Sequence, residues 1–389
     1  MHILEIPSFF PPYGGLFCLD QAKALQALGH EVRILSNVQM GVSVGMKDYL
    51  RLPSGRYEHE MDGVKVYQSF QRGLPKAVRF NMRRWVKIVR SMFAEYVGKY
   101  GKPDILHAHC AKWAGYAAML IGQEYGIPYV VTEHLPLMLL EEEFGHHASH
   151  IWQISLLKEV YKHADRVLPV SEELVEDISC YYGKDYQWQY VSNTIDTNFF
   201  CYHKRMPLSG RPFRFCCVAD YYYRKGYDVL FDAYSQLQEH GYKVELHIAG
   251  LFTDGRKCQG DIREAGLNGV KAYGRINKTD IRDLLYRCDA LVLASRSEVQ
   301  PLVLLEAMST GIPVISTECT PQSERVDGAC FIVPVGDAGA LSVEMQQVMG
   351  MTNFDGRAVS EKIRQIASPE VIGKQLEEIF QKIILSRSF

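Results

Sequence analysis

Short apolar runs alternate with longer segments of helical period along most of the chain. Residues 2–7, 31–36, 64–68, 104–108, 129–132, 166–170 and 189–192 are short runs rich in apolar residues and read as strands. Between them, residues 16–28 and 112–125 carry the period of amphipathic helices, the second closed by Gly126. The alternation pauses over residues 196–212, which are polar and without clear period. It then resumes with strand patterns at 213–218, 244–249, 269–273, 290–294, 313–316 and 330–333. A last helical pattern, about 369–385, has no strand after it.

Alternating strand and helix predicts an α/β protein with mostly parallel sheets covered on both faces. Two such series predict two doubly wound domains, residues 1–197 and 205–368, with the helix of 369–389 crossing back onto the first. The length of 389 residues agrees with two cores rather than one. Ligands of open α/β sheets sit beyond the carboxyl ends of the strands, so residues that follow strands are the candidates for chemistry.

Composition narrows the class. An apolar fraction of 47% and a charged fraction of 23% are those of a folded globular protein, and a formal net charge of −2 excludes a globally basic nucleic-acid binder. The ten cysteines are scattered from Cys18 to Cys330, without CxxC or zinc-like spacing, and are expected to be small buried hydrophobes in a reducing compartment. The first residues lead directly into a strand pattern, and nowhere do 18 apolar residues run together. Neither a signal peptide nor a transmembrane helix is expected, which points to the cytoplasm.

The densest candidate chemistry lies in Ser295-Arg-Ser-Glu-Val-Gln-Pro-Leu-Val-Leu-Leu-Glu-Ala-Met-Ser-Thr-Gly-Ile-Pro-Val314. A strand ends in a polar turn with Glu298, Pro301 opens a helix carrying Glu306, and Gly311 closes it. The free N–H groups of the helix start, around Pro301, Leu302 and Val303, and its positive dipole end suit a diphosphate. Glu306 can accept hydrogen bonds from ribose hydroxyls and Glu298 from sugar hydroxyls. By spacing alone, an ordinary strand–loop–helix with two solvated glutamates fits as well.

The segment resembles the E-x7-E motif of the retaining family-4 glycosyltransferases, here Glu298 to Glu306, and further matches follow in order. Pro11-Pro-Tyr-Gly-Gly15 resembles the family's glycine loop, so Gly14 and Gly15 are expected near donor phosphates and acceptor. Pro103-Asp-Ile-Leu-His-Ala-His109 and Val130-Val-Thr-Glu-His134 are similar to two first-domain strands, and His134 matches the histidine near the donor sugar. Val170-Ser-Glu-Glu173 and Val191-Ser-Asn-Thr-Ile-Asp196 resemble the end of that domain, with Thr194 where the family has glycine. Val218-Ala-Asp-Tyr-Tyr-Tyr-Arg-Lys-Gly226 resembles the phosphate-binding loop: Lys225 is in place, Asp220 stands where the family has arginine, and the neighbouring Arg224 is positioned to compensate.

The resemblance implies a GT-B fold, two Rossmann-like domains facing across a cleft. It also implies a nucleoside-diphosphate sugar donor, no bound metal or other cofactor, and retention by front-face displacement. It gives the base of the nucleotide to backbone around Gly274, Arg275 and Ile276, Glu298 to sugar positioning and Glu306 to ribose. The acceptor is expected to be a glycan or lipid-linked molecule of cell-surface polysaccharide or lipopolysaccharide synthesis. A non-catalytic nucleotide-sugar-binding subunit, kept open by Asp220, and a GT-B epimerase or phosphorylase are the alternatives. Residues 72–102 carry nine Lys/Arg against the single acid Glu95, interleaved with Phe80, Trp85, Phe93, Tyr96 and Tyr100. Such a helix reads either as a contact with the inner face of a membrane or as a solvated helix whose aromatics face the core.

Overall fold

The computed structural model describes residues 1–12, 14–41, 46–53, 55–141, 151–205, 208 and 210–387. Tyr13 of the glycine loop lies outside them. The chain divides into two compact units, Met1–Thr194 with Pro369–Phe389, and Ile195–Ser368. Both are α/β, each built on a single sheet.

The first unit begins with β1 (His2–Pro7), α1 (Leu16–Ala27), β2 (Glu31–Met40) and α2 (Met46–Arg51). It continues with β3 (Arg56–Met61), β4 (Val64–Arg72), α3 (Val78–Tyr100) and β5 (Ile105–His109). Next come α4 (Tyr116–Tyr125), β6 (Tyr129–Glu133), α5 (Leu137–Leu140), α6 (Trp152–His163) and β7 (Arg166–Pro169). Two short helices, α7 (Glu173–Asp177) and α8 (Ser179–Tyr182), close the run. The strand order is β3-β4-β2-β1-β5-β6-β7, parallel except for β3. β1 lies between β2 (His2 opposite Glu31) and β5 (Ile3 opposite Ile105), so the winding reverses between β1 and β5.

Three expectations change. The edge strand β3 reads Arg-Tyr-Glu-His-Glu-Met, with no apolar run, because one side of an edge faces solvent. It joins β4 through Asp62-Gly63, both at positive φ (47° and 84°), a hairpin cue that the sequence does contain. Residues 189–192 are not a strand: Gln189 N–H bonds the Val167 carbonyl and Val191 N–H the Pro169 carbonyl, but no ladder forms. The helix expected over 112–125 starts at Tyr116, because Lys112 (ψ 112°) and Trp113 (φ 69°) leave the helical region.

The second unit runs β8 (Phe213–Val218), α9 (Tyr227–Glu239), β9 (Val244–Ala249), α10 (Arg256–Glu264), β10 (Val270–Ala272) and α11 (Lys278–Arg287). It continues with β11 (Ala290–Leu293), α12 (Leu302–Ser309), β12 (Val314–Thr317), β13 (Cys330–Val333), α13 (Ala338–Met349) and α14 (Gly356–Ala367). All six strands are parallel, in the order β10-β9-β8-β11-β12-β13, and the winding reverses between β8 and β11.

The last helix, α15 (Pro369–Ser386), belongs to the first unit. Ile372, Leu376, Ile379, Phe380 and Ile383 recur at helical spacing and join the cluster that holds Cys18, Leu19, Ala22 and Leu25 of α1. Burial of side chains of this size contributes roughly 1.5–3 kcal/mol each. Polar ties flank the stripe: His30 Nε2 to Glu377 at 2.8 Å and Arg387 to both oxygens of Asp165 at 2.7 and 2.9 Å. All ten cysteines are free thiols, six of them buried.

The basic segment 72–102 is only partly helix. Arg72 sits on β4 and donates to the carbonyls of Tyr49, Leu50 and Leu52. Lys76 precedes α3 and Lys102 follows it. Trp85, Phe93 and Tyr96 are buried in the core of the unit, while Phe80 is 54% exposed. Arg79, Arg83, Lys87 and Arg90 line one groove of about 570 Å³, whose walls include Tyr116, Leu120, Trp152 and Leu156. No helix of the described residues is long and apolar enough to cross a membrane.

Candidate active site

The chemistry of the second unit gathers at the reversal between β8 and β11, the position where open α/β sheets bind ligands. Lys225 comes from the turn after β8 and Glu298 from the turn after β11. Their side chains meet at 2.5 Å, both largely buried. Ser295 Oγ donates to the same Glu298 oxygen at 2.6 Å, so the carboxylate is held from two sides. The turn bearing Lys225 is in turn clamped to β11: Arg296 N–H bonds the Arg224 carbonyl at 2.7 Å, and the Arg296 guanidinium grips Asp228 with two hydrogen bonds of 2.8 and 2.6 Å.

Gly226 lets that turn lie close to the sheet. Its φ is +65°, and a Cβ there would sit 1.8 Å from the Ala294 carbonyl oxygen. Only glycine allows Lys225 to pass so near the end of β11.

Asp220 bonds the backbone of a neighbouring loop. Its Oδ1 accepts from Leu251 N–H at 2.8 Å and so ties the loop after β8 to the loop after β9. The next loop is fixed likewise: Gly274 accepts from Gly250 N–H at 2.9 Å and donates to Thr253 Oγ1 at 3.0 Å, while Arg275 is exposed. Helix α12 starts after Pro301, so the N–H groups of Leu302 and Val303 belong to its first turn, where helical partners are lacking. Glu306 is half-buried on the same helix.

In the first unit the candidates collect at the reversal between β1 and β5. Gly14 and Gly15 precede α1 at φ 96° and 82°. Gly14 is exposed, whereas a Cβ on Gly15 would lie 1.9 Å from the Phe9 carbonyl oxygen. This tight turn delivers Phe17, whose ring stacks on that of His134 with centroids 3.8 Å apart. His134, half-buried, follows β6. Glu133 beside it shapes the loop: one oxygen accepts from His134 and Leu135 N–H, the other from Ala111 N–H and the Tyr161 hydroxyl.

Behind His134 lies a fully buried set that the sequence reading did not assemble. Glu5 Oε2 is 2.7 Å from His109 Nε2 and 2.9 Å from His107 Nδ1, and His109 Nδ1 is 3.3 Å from His134 Nε2. His107 Nε2 reaches Thr132 Oγ1 at 2.7 Å. Burial pushes the Glu5 carboxyl up, but the neighbouring charge and hydrogen bonds of His107 and His109 outweigh it and hold it at about 2. Burial, helped by the charge of His107, depresses His109 to about 4 against the pull of Glu5. Burial likewise lowers His134 well below the ordinary imidazole value. Glu5, His107 and His109 offer ligand atoms within 4.8 Å of one another, close enough to share a cation, although nothing in their sequence spacing suggests it; here His109 Nε2 is hydrogen-bonded to Glu5 Oε2. The cue for Glu5 was a carboxylate in the middle of an apolar strand, which has to find a partner.

Two Rossmann-like units, each with polar groups at the reversal of its strand order, form the GT-B fold. The sequence pattern of the family described as Glycosyl transferases group 1 matches residues 202–364, and that of the Glycosyl transferase 4-like domain matches residues 15–194. The chain belongs to the GT-B glycosyltransferases, and it is an enzyme of that class. It is 26% identical over 342 residues to TuaC of Bacillus subtilis (strain 168), assigned by name to teichuronic acid biosynthesis, covering 82% of this chain and 81% of TuaC. Its fold is similar to that of sucrose-phosphate synthase from Thermosynechococcus elongatus, with a TM-score of 0.81 at 17% identity over 99% of this chain and 100% of the other. Anabaena HepE, solved in complex with UDP, matches with a TM-score of 0.72 at 17% identity over 98% and 100% of the two chains.

Proposed function

We propose that this enzyme is a retaining transferase that moves a sugar from a nucleoside-diphosphate sugar to a glycan or lipid-linked acceptor of cell-surface polysaccharide or lipopolysaccharide synthesis. The observation that carries the proposal is the Lys225–Glu298 pair at the reversal of the second sheet, beside the start of α12. A cation, a carboxylate and free helix N–H groups in one place are the set that a sugar diphosphate requires.

In this reading Lys225, Arg224 and the N–H groups after Pro301 neutralise the leaving diphosphate, so that no metal or other cofactor is needed. Glu298 orients the sugar through its hydroxyls, Glu306 holds ribose, and backbone around Gly274 and Arg275 receives the base. In the first unit, Gly14 and Gly15 admit phosphate and acceptor, and His134 hydrogen-bonds a sugar hydroxyl. The departing phosphate takes the acceptor proton on the same face, which leaves Glu298 a positioning carboxylate rather than a nucleophile. The HepE structure with UDP and the name of TuaC support a nucleotide donor and a cell-surface product respectively. The basic groove beside α3 supports an acceptor presented at the inner face of a membrane, with the protein bound there peripherally.

A thermal-shift panel of UDP-, GDP-, ADP- and TDP-sugars tests the donor. A ligand at a hundred times its Kd stabilises by about 2.7 kcal/mol, a shift of several degrees. One sugar nucleotide should raise the melting temperature of the wild type, and Glu298→Ala should bind the free nucleoside diphosphate while losing turnover. No response to any member of the panel would sink the proposal.

A further inference from the structure

The buried set in the first unit has a direction. Glu5 is ionised and can only accept, so His109 must carry its proton on Nε2, the nitrogen 2.7 Å from Glu5 Oε2. Sealed from water and adjacent to His107, His109 stays neutral, which leaves Nδ1 as a lone pair. The atom that faces this lone pair is His134 Nε2, at 3.3 Å, and it has to be the donor. The hydrogen bond made by one ring nitrogen sets the state of the other.

We propose that Glu5 and His109 are positioning residues that act through His134: they hold its proton on Nε2 and leave Nδ1 as the acceptor. Phe17 completes the arrangement by stacking on the ring, which fixes the direction in which Nδ1 points. The consequence concerns ligand chemistry. A ring in this state accepts a hydrogen bond from a hydroxyl through Nδ1 and offers no proton to a phosphate or an ether oxygen there. His134 therefore selects a sugar that has a free hydroxyl at the contacted carbon. This step rests on the reading of His134 as a sugar contact, whereas the proton placement stands on the geometry of the first unit alone.

The neighbourhood makes the alternative costly. His107 Nδ1 lies 2.9 Å from the same Glu5 Oε2, so a second imidazole attracts the oxygen that faces His109. Glu5, His107 and His109 are all 0% exposed, and no bulk water is at hand to satisfy a reversed proton order.

The full-length protein labelled with ¹⁵N-histidine reports the tautomers through imidazole ¹H–¹⁵N correlations, with His134 assigned by its loss in His134→Gln. The wild type should show His134 protonated at Nε2 and bare at Nδ1 near neutral pH. Glu5→Leu removes the fixed acceptor, and His134 should shift to the Nδ1–H form or to a mixture. Glu5→Gln keeps an acceptor oxygen in the same place and should restore the wild-type pattern. Turnover should follow, with kcat falling at least tenfold in Glu5→Leu, recovering in Glu5→Gln, and the donor KM changing less than kcat. A wild-type His134 protonated at Nδ1, or a folded Glu5→Leu with an unchanged His134 pattern, overturns the proposal. Should Glu5→Leu not fold, the wild-type spectrum still decides. The expected tautomer in a protein that responds to no sugar nucleotide would count against the donor reading and leave the proton placement standing.

Discussion

Replacing Gly226 by alanine tests whether the turn after β8 has to lie against β11 for Lys225 to function. The added Cβ would stand 1.8 Å from the Ala294 carbonyl oxygen, whereas real Cβ contacts essentially never fall below 3.0 Å. The turn must therefore retreat by on the order of 1 Å, and it carries Lys225 with it. Misplacement by about 1 Å costs on the order of a hundredfold in rate. That is roughly 2.7 kcal/mol of transition-state stabilisation. A left-handed alanine adds about 1–2 kcal/mol of strain, which lowers stability without bearing on Lys225. Gly241→Ala separates the two effects: Gly241 has φ +79° but no atom within 4 Å of its Cβ position. Steady-state kcat/KM with the donor found by thermal shift, alongside melting temperatures, is the assay. Gly226→Ala should lose about a hundredfold in kcat/KM while Gly241→Ala loses only stability. If Gly226→Ala turns over within twofold of the wild type, the close approach of the turn to β11 does not seat Lys225.

Three other outcomes follow from the packing and the charges. Phe380→Ala on α15 empties a site that is 0% exposed and should cost roughly 3–5 kcal/mol in urea unfolding; a loss under 1 kcal/mol would mean that α15 does not help to hold the first unit. Acid should weaken the first unit in two windows. His109 has a folded value of about 4 against an unfolded 6.5, so the unfolded chain takes the proton first and stability on the order of 3 kcal/mol is lost as pH falls from 6.5 to 4. Glu5, held at about 2 against 4.5, contributes stability that is present above 4.5 and lost as pH falls towards 2. Equal denaturation midpoints at pH 7 and pH 4.5 would contradict this. Finally, the wild type should co-sediment with vesicles rich in anionic lipid, and alanine at Arg83, Arg84 and Lys87 should weaken binding by about 1 kcal/mol per charge; equal binding would remove the membrane contact.

Much of the architecture was written locally. The strands read as short runs rich in apolar residues set between helical patterns, so all six strands of the second sheet and most of the first were visible in the pattern. The turns that carry Gly15, Lys225, Glu298 and the start of α12 were also legible, because glycine and proline punctuate the chain where it leaves a strand. What stayed hidden has a common cause. β3 is polar because it is an edge, and the run at 189–192 reads as a strand without joining a ladder; pairing, not pattern, decides both. Whether the aromatics of α3 meet a membrane or the core was open in the sequence; the fold buries Trp85, Phe93 and Tyr96 and leaves arginines around a groove.

The polar centres show the same division. Sequence alone determined that Glu298, Lys225 and His134 follow strands, since that depends only on neighbours along the chain. Only the tertiary structure decided that Lys225 reaches Glu298, 73 positions further along the chain, and that Glu5 and His109, 104 apart, are joined by a hydrogen bond. Asp220 stood out in the sequence as a missing arginine and became in the fold a tie between two loops. Partners so distant are brought together by the order of strands in a sheet, and that order is set by long-range packing that no local pattern records.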